Sequence, residues 1–248
     1  MARVTAVTST ELIQVVLRPI RAHPFETCVE QLATAIRLGV YLRGSTLPPE
    51  RELASRMGVS RSTLREAIAA LRSAGFVQTR RGRGGGTEVT WTASPPDASG
   101  RAELVARQAH LHDALVFRRV AEPGAAYIAA THDLTREQRD LLSGAFREVV
   151  LAPDQASHRQ ADSRFHLVIA AVTESPLTMR AVATVQSDLN DLLTQIPVLE
   201  TNIAHSNRQH QSVLSAILRG DPARARRAME SHCDATAALL RGLLGTGR

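Results

Sequence analysis

Lysine is missing from this chain of 248 residues, whose 30 basic residues are all arginine. Cysteine occurs only at Cys28 and Cys233, and two cysteines so far apart provide no disulfide framework. Long apolar runs are also missing: none approaches the ~20 residues that a membrane-spanning helix needs. The first ten residues lack the apolar stretch of a signal peptide. We therefore expect a cytoplasmic protein that does not enter a membrane.

The positive charge of the chain is concentrated in its first third. Residues 1–90 contain 13 Arg and 7 Asp or Glu, a net charge of +6. Residues 91–248 contain 17 Arg and 17 Asp or Glu, a net charge of zero. An excess of arginine confined to one segment is typical of a nucleic-acid-binding module joined to a neutral domain. On charge alone, chance clustering in an arginine-rich chain is the alternative.

Turn-forming residues at 92–100 separate two differently patterned regions, which predicts a linker between them. In the first region Gly39, Gly58 and Gly75 each end a helical pattern, and Ser60 is suited to cap the third helix. The predicted elements are helices over 26–38, 50–57 and 60–74 and short strands over 76–79 and 87–89.

The region after the linker shows helical patterning only, which predicts an all-α bundle. The candidate helices run over 103–131, 135–150, 154–173, 177–194, 200–219 and 222–244.

Two helices of the first region have the spacing of a helix-turn-helix, with the turn at Gly58-Val59. Polar side chains stand near the start of the second helix, where a recognition helix meets base edges: Arg61, Ser62, Thr63 and Arg65. Arginine donates two hydrogen bonds to guanine, and serine and threonine suit phosphates. The glycine-rich hairpin around Arg81 and Arg83 is suited to the phosphate backbone or a minor groove. The expected fold class is therefore mainly α, a winged helix-turn-helix domain followed by a helical bundle.

One aspartate and three histidines of the second region are expected at one height in the bundle. Asp162 and His166 are four residues apart and share a helix face. His210 lies ten residues before the turn that starts at Gly220, and His232 lies eleven residues after Asp221. Antiparallel helices place both imidazoles about 15 Å from that turn. Such a set suits Zn²⁺, Ni²⁺ or Mn²⁺, and five- or six-coordination would leave room for an anion or water.

Three motifs of the first region are LPPERELA at 47–54, GVSRSTLREA at 58–67 and RGRGG at 81–85. With these motifs, the region resembles the GntR family of bacterial transcription regulators. The resemblance implies a winged helix-turn-helix domain that binds double-stranded operator DNA as a homodimer. By position, it implies DNA contacts from Arg51, Ser60, Arg61, Ser62, Thr63, Arg65, Gly82 and Arg83.

The second region carries Arg118, Glu122-Pro123 and the aspartate and histidines described above. With these residues it is similar to the helical effector domain of the FadR subfamily, the FCD domain. The resemblance implies that a small organic acid binds at the metal. Arg118 is suited to pair bidentately with its carboxylate. Asn207, about one turn before His210, is positioned to line the pocket.

These expectations combine into a ligand-responsive transcription regulator, a repressor, that is not an enzyme. The expected cofactor is a divalent metal ion, Zn²⁺ before Ni²⁺ or Mn²⁺, and the expected effector is a small carboxylate. Two alternatives stay open: a metal-dependent hydrolase, because such a metal can activate water, and a DNA-binding protein whose metal is purely structural. The predicted domains are an extension (1–25), a winged helix-turn-helix domain (26–90), a linker (91–101) and a helical effector-binding and dimerisation domain (102–245).

Overall fold

The protein is described by a computed structural model that covers residues 17–37, 39–80, 86–91, 98–193 and 200–244. The chain divides into two compact units. The first contains residues 1–102 together with 235–248, and the second contains residues 103–234. None of the described helices is long and apolar enough to cross a bilayer.

The first unit contains three helices and a two-stranded antiparallel sheet in its N-terminal part. They are α1 (Pro24–Arg37), α2 (Glu50–Met57), α3 (Arg61–Ser73), β1 (Val77–Arg80) and β2 (Gly86–Val89). The strands pair from Val77 opposite Val89 to Arg80 opposite Gly86. This order of helices and strands is that of a winged helix-turn-helix domain.

Local signals position the turn between α2 and α3. Gly58 ends α2 with a φ of +64°, a left-handed conformation that glycine adopts without a steric penalty. Two residues later, the side chain of Ser60 accepts a hydrogen bond from the backbone N–H of Thr63 and caps α3. The predicted cap is confirmed.

The apolar face of α1 forms part of the core of this unit. Val29, Leu32, Ala33 and Ile36 are all 2% exposed or less. Ala54 of α2 and Leu64 and Ile68 of α3 are also buried, whereas Val59, in the turn between these helices, is only partly buried.

The second unit is helical throughout its described residues. Its helices are α4 (Ala98–Thr131), α5 (Arg136–Leu151), α6 (Gln155–Val172), α7 (Pro176–Leu193), α8 (Glu200–Leu218) and α9 (Pro222–Leu244). The last residues of α9, 235–244, are grouped with the first unit. The mainly α fold class is confirmed, and each of the six predicted helices is present.

The turn between α8 and α9 sets the relative heights of two of the expected metal ligands. Gly220 has a φ of +66° and follows the end of α8. The carboxylate of Asp221 then accepts a hydrogen bond of 2.9 Å from the backbone N–H of Arg224 and caps α9. Pro222 occupies the first position of α9, where its missing N–H costs no hydrogen bond.

One predicted boundary differs from the structure. The linker was expected to extend to residue 101, but α4 already begins at Ala98. Ser99 and Gly100 favour a loop locally, yet poor helix formers in the first turn of a 34-residue helix cost only about 1 kcal/mol each. Residues 1–16 and 92–97 lie outside the described residues, and the division into four segments stays a prediction.

Candidate functional site

Three histidines from three helices meet in the interior of the second unit. His166 of α6, His210 of α8 and His232 of α9 are 1%, 0% and 2% exposed. The Nε2 atom of His210 lies 3.2 Å from the Nε2 atoms of both His166 and His232. One ligand atom from each ring lies within 4.8 Å of the others, a group that could hold a metal ion.

Asp162 lies beside these rings. One of its carboxylate oxygens is 3.6 Å from Nε2 of His210, and its side chain is 21% exposed. It stands one helical turn before His166 on α6, which brings both groups to the same side of the helix. All four predicted metal ligands therefore lie together, with the carboxylate on the more exposed side.

The Nδ1 atoms of two histidines lie beside side-chain oxygens. Nδ1 of His166 lies 3.0 Å from the carboxylate of Glu122, although this contact does not have the geometry of a hydrogen bond. Nδ1 of His232 lies 2.9 Å from the side-chain oxygen of Gln209. An acceptor at Nδ1 favours the tautomer with its proton there, so each Nε2 presents a lone pair to the centre of the site. This is the arrangement that metal-binding histidines require.

Burial governs the protonation of the third histidine. It lowers the pKa of His210 to about 3, although the nearby negative charge of Asp162 acts in the opposite direction. The imidazole is thus neutral at physiological pH and available as a ligand. Its own Nδ1 atom is buried and has no hydrogen-bond partner among the described residues.

Arg118 of α4 extends its guanidinium into the same interior. The side chain is 1% exposed. Its Nε atom donates a hydrogen bond of 3.0 Å to Glu122, and its Nη2 atom lies 2.8 Å from Nε2 of His232. The Nη1 atom is buried and has no hydrogen-bond partner among the described residues. A buried cationic donor without an acceptor is costly, and a bound anion would supply the missing acceptor.

Glu122 stands at the centre of the polar network around these groups. Burial is the largest single influence and would raise its pKa. The positive charge of Arg118, together with His166 and Gln186, outweighs burial and holds the pKa of this carboxyl well below its usual range. In the same pair, burial opposes the charge on Arg118, and the carboxylate of Glu122 nevertheless raises the pKa of the guanidinium. Gln186 of α7 donates a further hydrogen bond of 2.6 Å to Glu122. The carboxylate is ionised, and both of its oxygens have partners among Arg118, His166 and Gln186.

Asn207 is partly buried on α8, about one turn before His210. Its side-chain oxygen lies 3.5 Å from Nε2 of His158, which is one turn before Asp162 on α6. The Asn207–His158 pair thus lies about one helical turn from Asp162 and His210. Asn207 is near the four predicted metal ligands and is not one of them.

The predicted DNA-contacting residues of α2 and α3 lie on the surface of the first unit. Arg51, Ser60, Arg61, Ser62 and Arg65 are exposed, and Thr63 is partly buried. Ser60 is also occupied locally, because its hydroxyl lies 2.8 Å from those of Ser62 and Thr63. Arg65 forms an ion pair of 2.7 Å with Glu50 at the start of α2. Gly82 and Arg83 lie outside the described residues.

Sequence reasoning missed Gln209 and Gln186 and named Glu122 only as part of the FCD-like motif. The sequence shows that Gln209 precedes His210, but it does not show that Gln209 reaches His232 on another helix. Cys233 follows His232 on α9. Its Sγ atom lies 3.7 Å from Glu122 and is not part of the histidine group.

Two family matches account for most of the chain. Residues 24–87 match the bacterial regulatory proteins of the gntR family. Residues 113–235 match the FCD domain and include the whole histidine group. The chain belongs to the GntR family. A GntR DNA-binding domain followed by an FCD domain is the arrangement that the resemblance to the FadR subfamily implied.

Three bacterial transcription regulators are similar to this chain over most of its length. An L-lactate dehydrogenase operon regulatory protein of Escherichia coli K12 is 34% identical and spans 76% of this chain and 75% of its own length. The transcriptional repressor NanR of Escherichia coli K12 strain DH10B is 30% identical over 86% of this chain and 82% of its own length. The Glc operon transcriptional activator of Escherichia coli K12 is 28% identical over 84% and 85%. This GntR-family protein is a transcription regulator with a ligand-binding FCD domain.

Proposed function

We propose that this regulator binds operator DNA as a homodimer and responds to a small carboxylic acid held at a divalent metal ion in its FCD domain. One observation carries the proposal: the unpartnered Nη1 atom of Arg118 is buried in the same network as the three converging imidazoles. Neutral nitrogens suit a metal, and a guanidinium suits a carboxylate. A site with both is suited to an acid that contacts metal and arginine together.

The donor set fits a metal ion and narrows its identity. His166, His210 and His232 would supply nitrogen ligands, and Asp162 would supply an oxygen ligand. Imidazole nitrogens suit zinc and nickel, and a carboxylate is compatible with both. We propose Zn²⁺ as the resident ion, with Ni²⁺ or Mn²⁺ as substitutes, and its chemistry would be that of a Lewis acid that binds the effector's carboxylate.

Charge balance indicates the class of acid. Arg118 and Glu122 neutralise each other, whereas Asp162 compensates only one of the two charges of a divalent ion. The buried site would then carry a net charge of +1. Unit charges 4 Å apart interact by about 4 kcal/mol at an effective dielectric constant of 20, so an uncompensated charge there is costly. We therefore propose a monocarboxylate effector, which neutralises the site, over a dicarboxylate.

Polar side chains next to Asp162 place a second requirement on the chemistry of the effector acid. Asn207 and His158 form a polar layer next to Asp162. We propose that Asn207 donates a hydrogen bond to a hydroxyl or carbonyl group of the acid, which favours an oxygenated monocarboxylate over a plain fatty acid. The related regulatory protein named for the L-lactate dehydrogenase operon is consistent with an acid of this chemistry.

For DNA, we propose that α3 enters the major groove of each half-site. Arg61 and Arg65 would read bases, and Arg51, Ser60, Ser62 and Thr63 would contact the phosphate backbone together with the wing at Gly82 and Arg83. We propose repression relieved by the acid, in the cytoplasm where the operator lies. Relatives include an activator as well as a repressor. Whether this protein activates or represses is therefore tested separately, by measuring transcription from an operator-bearing promoter.

A metal-dependent hydrolase is the second candidate, because a metal held by three histidines can activate water. Such a reaction also needs a general base. Glu122 is a buried carboxylate next to His166, but Arg118, His166 and Gln186 already surround its oxygens. The geometry therefore favours binding over hydrolysis.

Metal analysis of protein purified without chelator tests the proposal. We expect about one metal ion per chain, because a buried set of this kind binds divalent ions tightly. His232→Gln should lower the content below about 0.2 per chain, whereas His112→Gln, an exposed histidine of α4, should leave it unchanged. In the metal-loaded protein, monocarboxylates should raise Tm more than dicarboxylates of equal length. Wild-type protein with less than about 0.2 metal per chain would contradict the proposal.

A further inference from the structure

Glu50, the first residue of α2, places a carboxylate among the residues predicted to contact DNA. Those residues include the exposed Arg51 on the same helix and the exposed Arg61 and Arg65 on α3. Duplex DNA carries about one negative charge per 1.7 Å of helix axis, so an acidic side chain close to it weakens binding to every sequence. A carboxylate at this position therefore needs a physical reason.

The carboxylate of Glu50 pairs with Arg65 across the helix-turn-helix. Nε of Arg65 donates a hydrogen bond of 2.7 Å to Oε2 of Glu50, which is 15 positions away in the sequence. Arg51 and Arg61, in contrast, form no ion pair with any residue that the structure describes. One of the three arginines is thus oriented by an acidic side chain, and the other two are not.

Stability gives only a weak reason for this ion pair. The side chains of Arg65 and Glu50 are 62% and 35% exposed, and exposed ion pairs contribute little to folding because water and salt screen them. Glu52 provides a comparison on the same helix, since it pairs with Arg56 at 3.0 Å within α2. What distinguishes the Glu50–Arg65 pair is that its arginine is one of the predicted base-reading residues.

The position of Glu50 is fixed more firmly than that of Arg65. Glu50 follows two prolines and lies in the first turn of α2, where the partial positive charge of the helix end favours a carboxylate. The carbonyl of Pro49 accepts hydrogen bonds from the backbone N–H groups of Glu52 and Leu53. The side chain of Arg65 is long and flexible by comparison, so the ion pair restricts the arginine more than the glutamate.

An arginine restricted in this way presents its remaining donors in a defined direction. A guanidinium has more N–H donors than one carboxylate can accept, so donors of Arg65 remain available to a base. Guanine offers two acceptors, N7 and O6, on its major-groove edge, whereas adenine offers one acceptor beside a donor and thymine offers one acceptor. A fixed pair of N–H donors therefore fits guanine and fits the other bases less well.

Two effects of Glu50 would then favour the correct sequence. A side chain that is already ordered loses less conformational freedom when it binds, and this advantage is realised only where guanine accepts the hydrogen bonds. On other sequences the repulsion between the carboxylate and the phosphates remains without that gain. Both effects increase the ratio of operator affinity to random-DNA affinity.

We propose that Glu50 is a positioning residue for DNA recognition, which orients Arg65 towards one guanine of each half-site and weakens binding to DNA that lacks this guanine. The inference rests on the proposed function, in which α3 enters the major groove and Arg65 reads a base. It adds the identity of that base and the residue that sets the preference.

Selection of binding sites from a pool of random-sequence duplexes tests the proposal. Full-length wild type, Arg65→Ala and Glu50→Ala each select from the same pool, and base frequencies are compared at every position. We expect Arg65→Ala to lose the preference for one G·C pair in each half-site. Glu50→Ala should lower the preference for this guanine about 2–10-fold, the cost of ordering one flexible side chain, and should leave the other positions unchanged.

Glu52→Ala is the matched control, because it removes a carboxylate from the same helix whose partner, Arg56, is not predicted to contact DNA. It should leave every base preference unchanged. Fluorescence anisotropy with a random duplex should show a similar gain in affinity for Glu50→Ala and Glu52→Ala, since each removes one negative charge. Glu50→Gln, whose amide oxygen can still accept from Nε of Arg65, should retain more of the guanine preference than Glu50→Ala.

The double variant Glu50→Ala with Arg65→Ala shows whether Glu50 acts through Arg65. It should have the same base preferences as Arg65→Ala alone, and a further loss would overturn the inference. An unchanged guanine preference in Glu50→Ala, at the position that Arg65→Ala loses, would also overturn it. If wild type selects no common sequence, or if Arg65→Ala keeps every preference, the role of α3 in the proposed function is wrong and the inference is overturned with it.

Discussion

At the scale of single residues, Arg118 separates acid binding from metal binding. Arg118→Lys keeps the charge that compensates Glu122 but loses the planar guanidinium fork. We expect the dissociation constant for the effector acid to rise about 10–100-fold, with metal content unchanged. Isothermal titration of metal-loaded protein with the acid that gives the largest shift in Tm provides the measurement.

Arg119→Lys is the matched control for this change. Arg119 is the next residue of α4, is 38% exposed and pairs with the carboxylates of Glu230 and Asp234 on α9. Its substitution should leave both the dissociation constant for the acid and the metal content unchanged. Equal acid affinity in Arg118→Lys and wild type would show that the buried guanidinium does not receive the carboxylate.

Gln209 provides a test of how the imidazoles are oriented. Its oxygen accepts from Nδ1 of His232, so Gln209→Leu should free the ring to adopt the other tautomer. We expect metal affinity to fall about 10–100-fold in competition with a chromophoric chelator. Gln211→Leu, an exposed glutamine of the same helix, should have no effect. Nitrogen chemical shifts of the His232 ring should report the changed tautomer in Gln209→Leu alone, and unchanged shifts would contradict this role.

The convergence of the four proposed metal ligands could be predicted from sequence because their positions follow from local rules. A four-residue spacing fixes Asp162 relative to His166, and nearly equal distances from the Gly220-Asp221 turn fix His210 relative to His232. Gln209 could not be predicted in the same way. Its contact depends on the rotation of α8 against α9, which tertiary packing determines.

At the scale of elements, the helix boundaries could be predicted wherever a cap or glycine stop is present. Ser60, Thr135 and Asp154 each accept a backbone hydrogen bond at the start of a helix. The start of α4 was missed because no such signal marks it, and residues 98–100 look like linker by composition.

The recognition helix α3 should show graded effects on DNA. Arg61→Ala and Arg65→Ala should each cost about 1–3 kcal/mol at the operator, with a smaller loss on random DNA, because they remove base contacts. Arg72→Ala, an exposed arginine of the last turn, is the control. Fluorescence anisotropy with operator and random duplexes gives both affinities. Equal losses on the two duplexes for Arg65→Ala would contradict base recognition.

The end of α9 packs closely on α1 within the first unit. A Cβ atom at Gly242 would lie 2.7 Å from Cα and 2.9 Å from N of Glu30, and the backbone of α1 leaves no room for it. Arg37 donates a hydrogen bond to the carbonyl of Gly242, and Arg241 pairs with Glu30 at 2.8 Å. The C-terminal residues of the chain thus contribute to the DNA-binding unit.

Gly242→Ala should therefore destabilise the protein by about 1–3 kcal/mol, the usual cost of overpacking, in urea unfolding of that unit. Gly144→Ala is the control on α5, where a Cβ atom meets nothing within 4 Å. It should be neutral or stabilise by roughly 0.5–1 kcal/mol, since alanine is the better helix former. Equal midpoints for the two variants would show that α9 does not pack against α1 as described.

At the scale of the whole molecule, net charge and function are separated between the two regions of the chain. The first 90 residues carry the whole net charge of +6. The remaining residues have no net charge but contain buried charged side chains, including Arg118 and Glu122. Sequence alone could predict this division, because it depends on composition. The neutral domain can regulate DNA binding only if the acid binds with different affinity to the protein conformations that bind DNA strongly and weakly. A coupling free energy of about 1–3 kcal/mol between the acid site and the DNA site changes DNA affinity ~5–150-fold.

Operator titration measures this coupling directly. Full-length protein loaded with one equivalent of Zn²⁺ is titrated against an operator duplex with and without the acid that stabilises it most, and Arg118→Lys is titrated in parallel. The account predicts a change in Kd of about 5–150-fold with the acid for wild type, and a much smaller change for Arg118→Lys at the same acid concentration. An identical wild-type Kd with and without the acid, under conditions where calorimetry shows that the acid is bound, would contradict it.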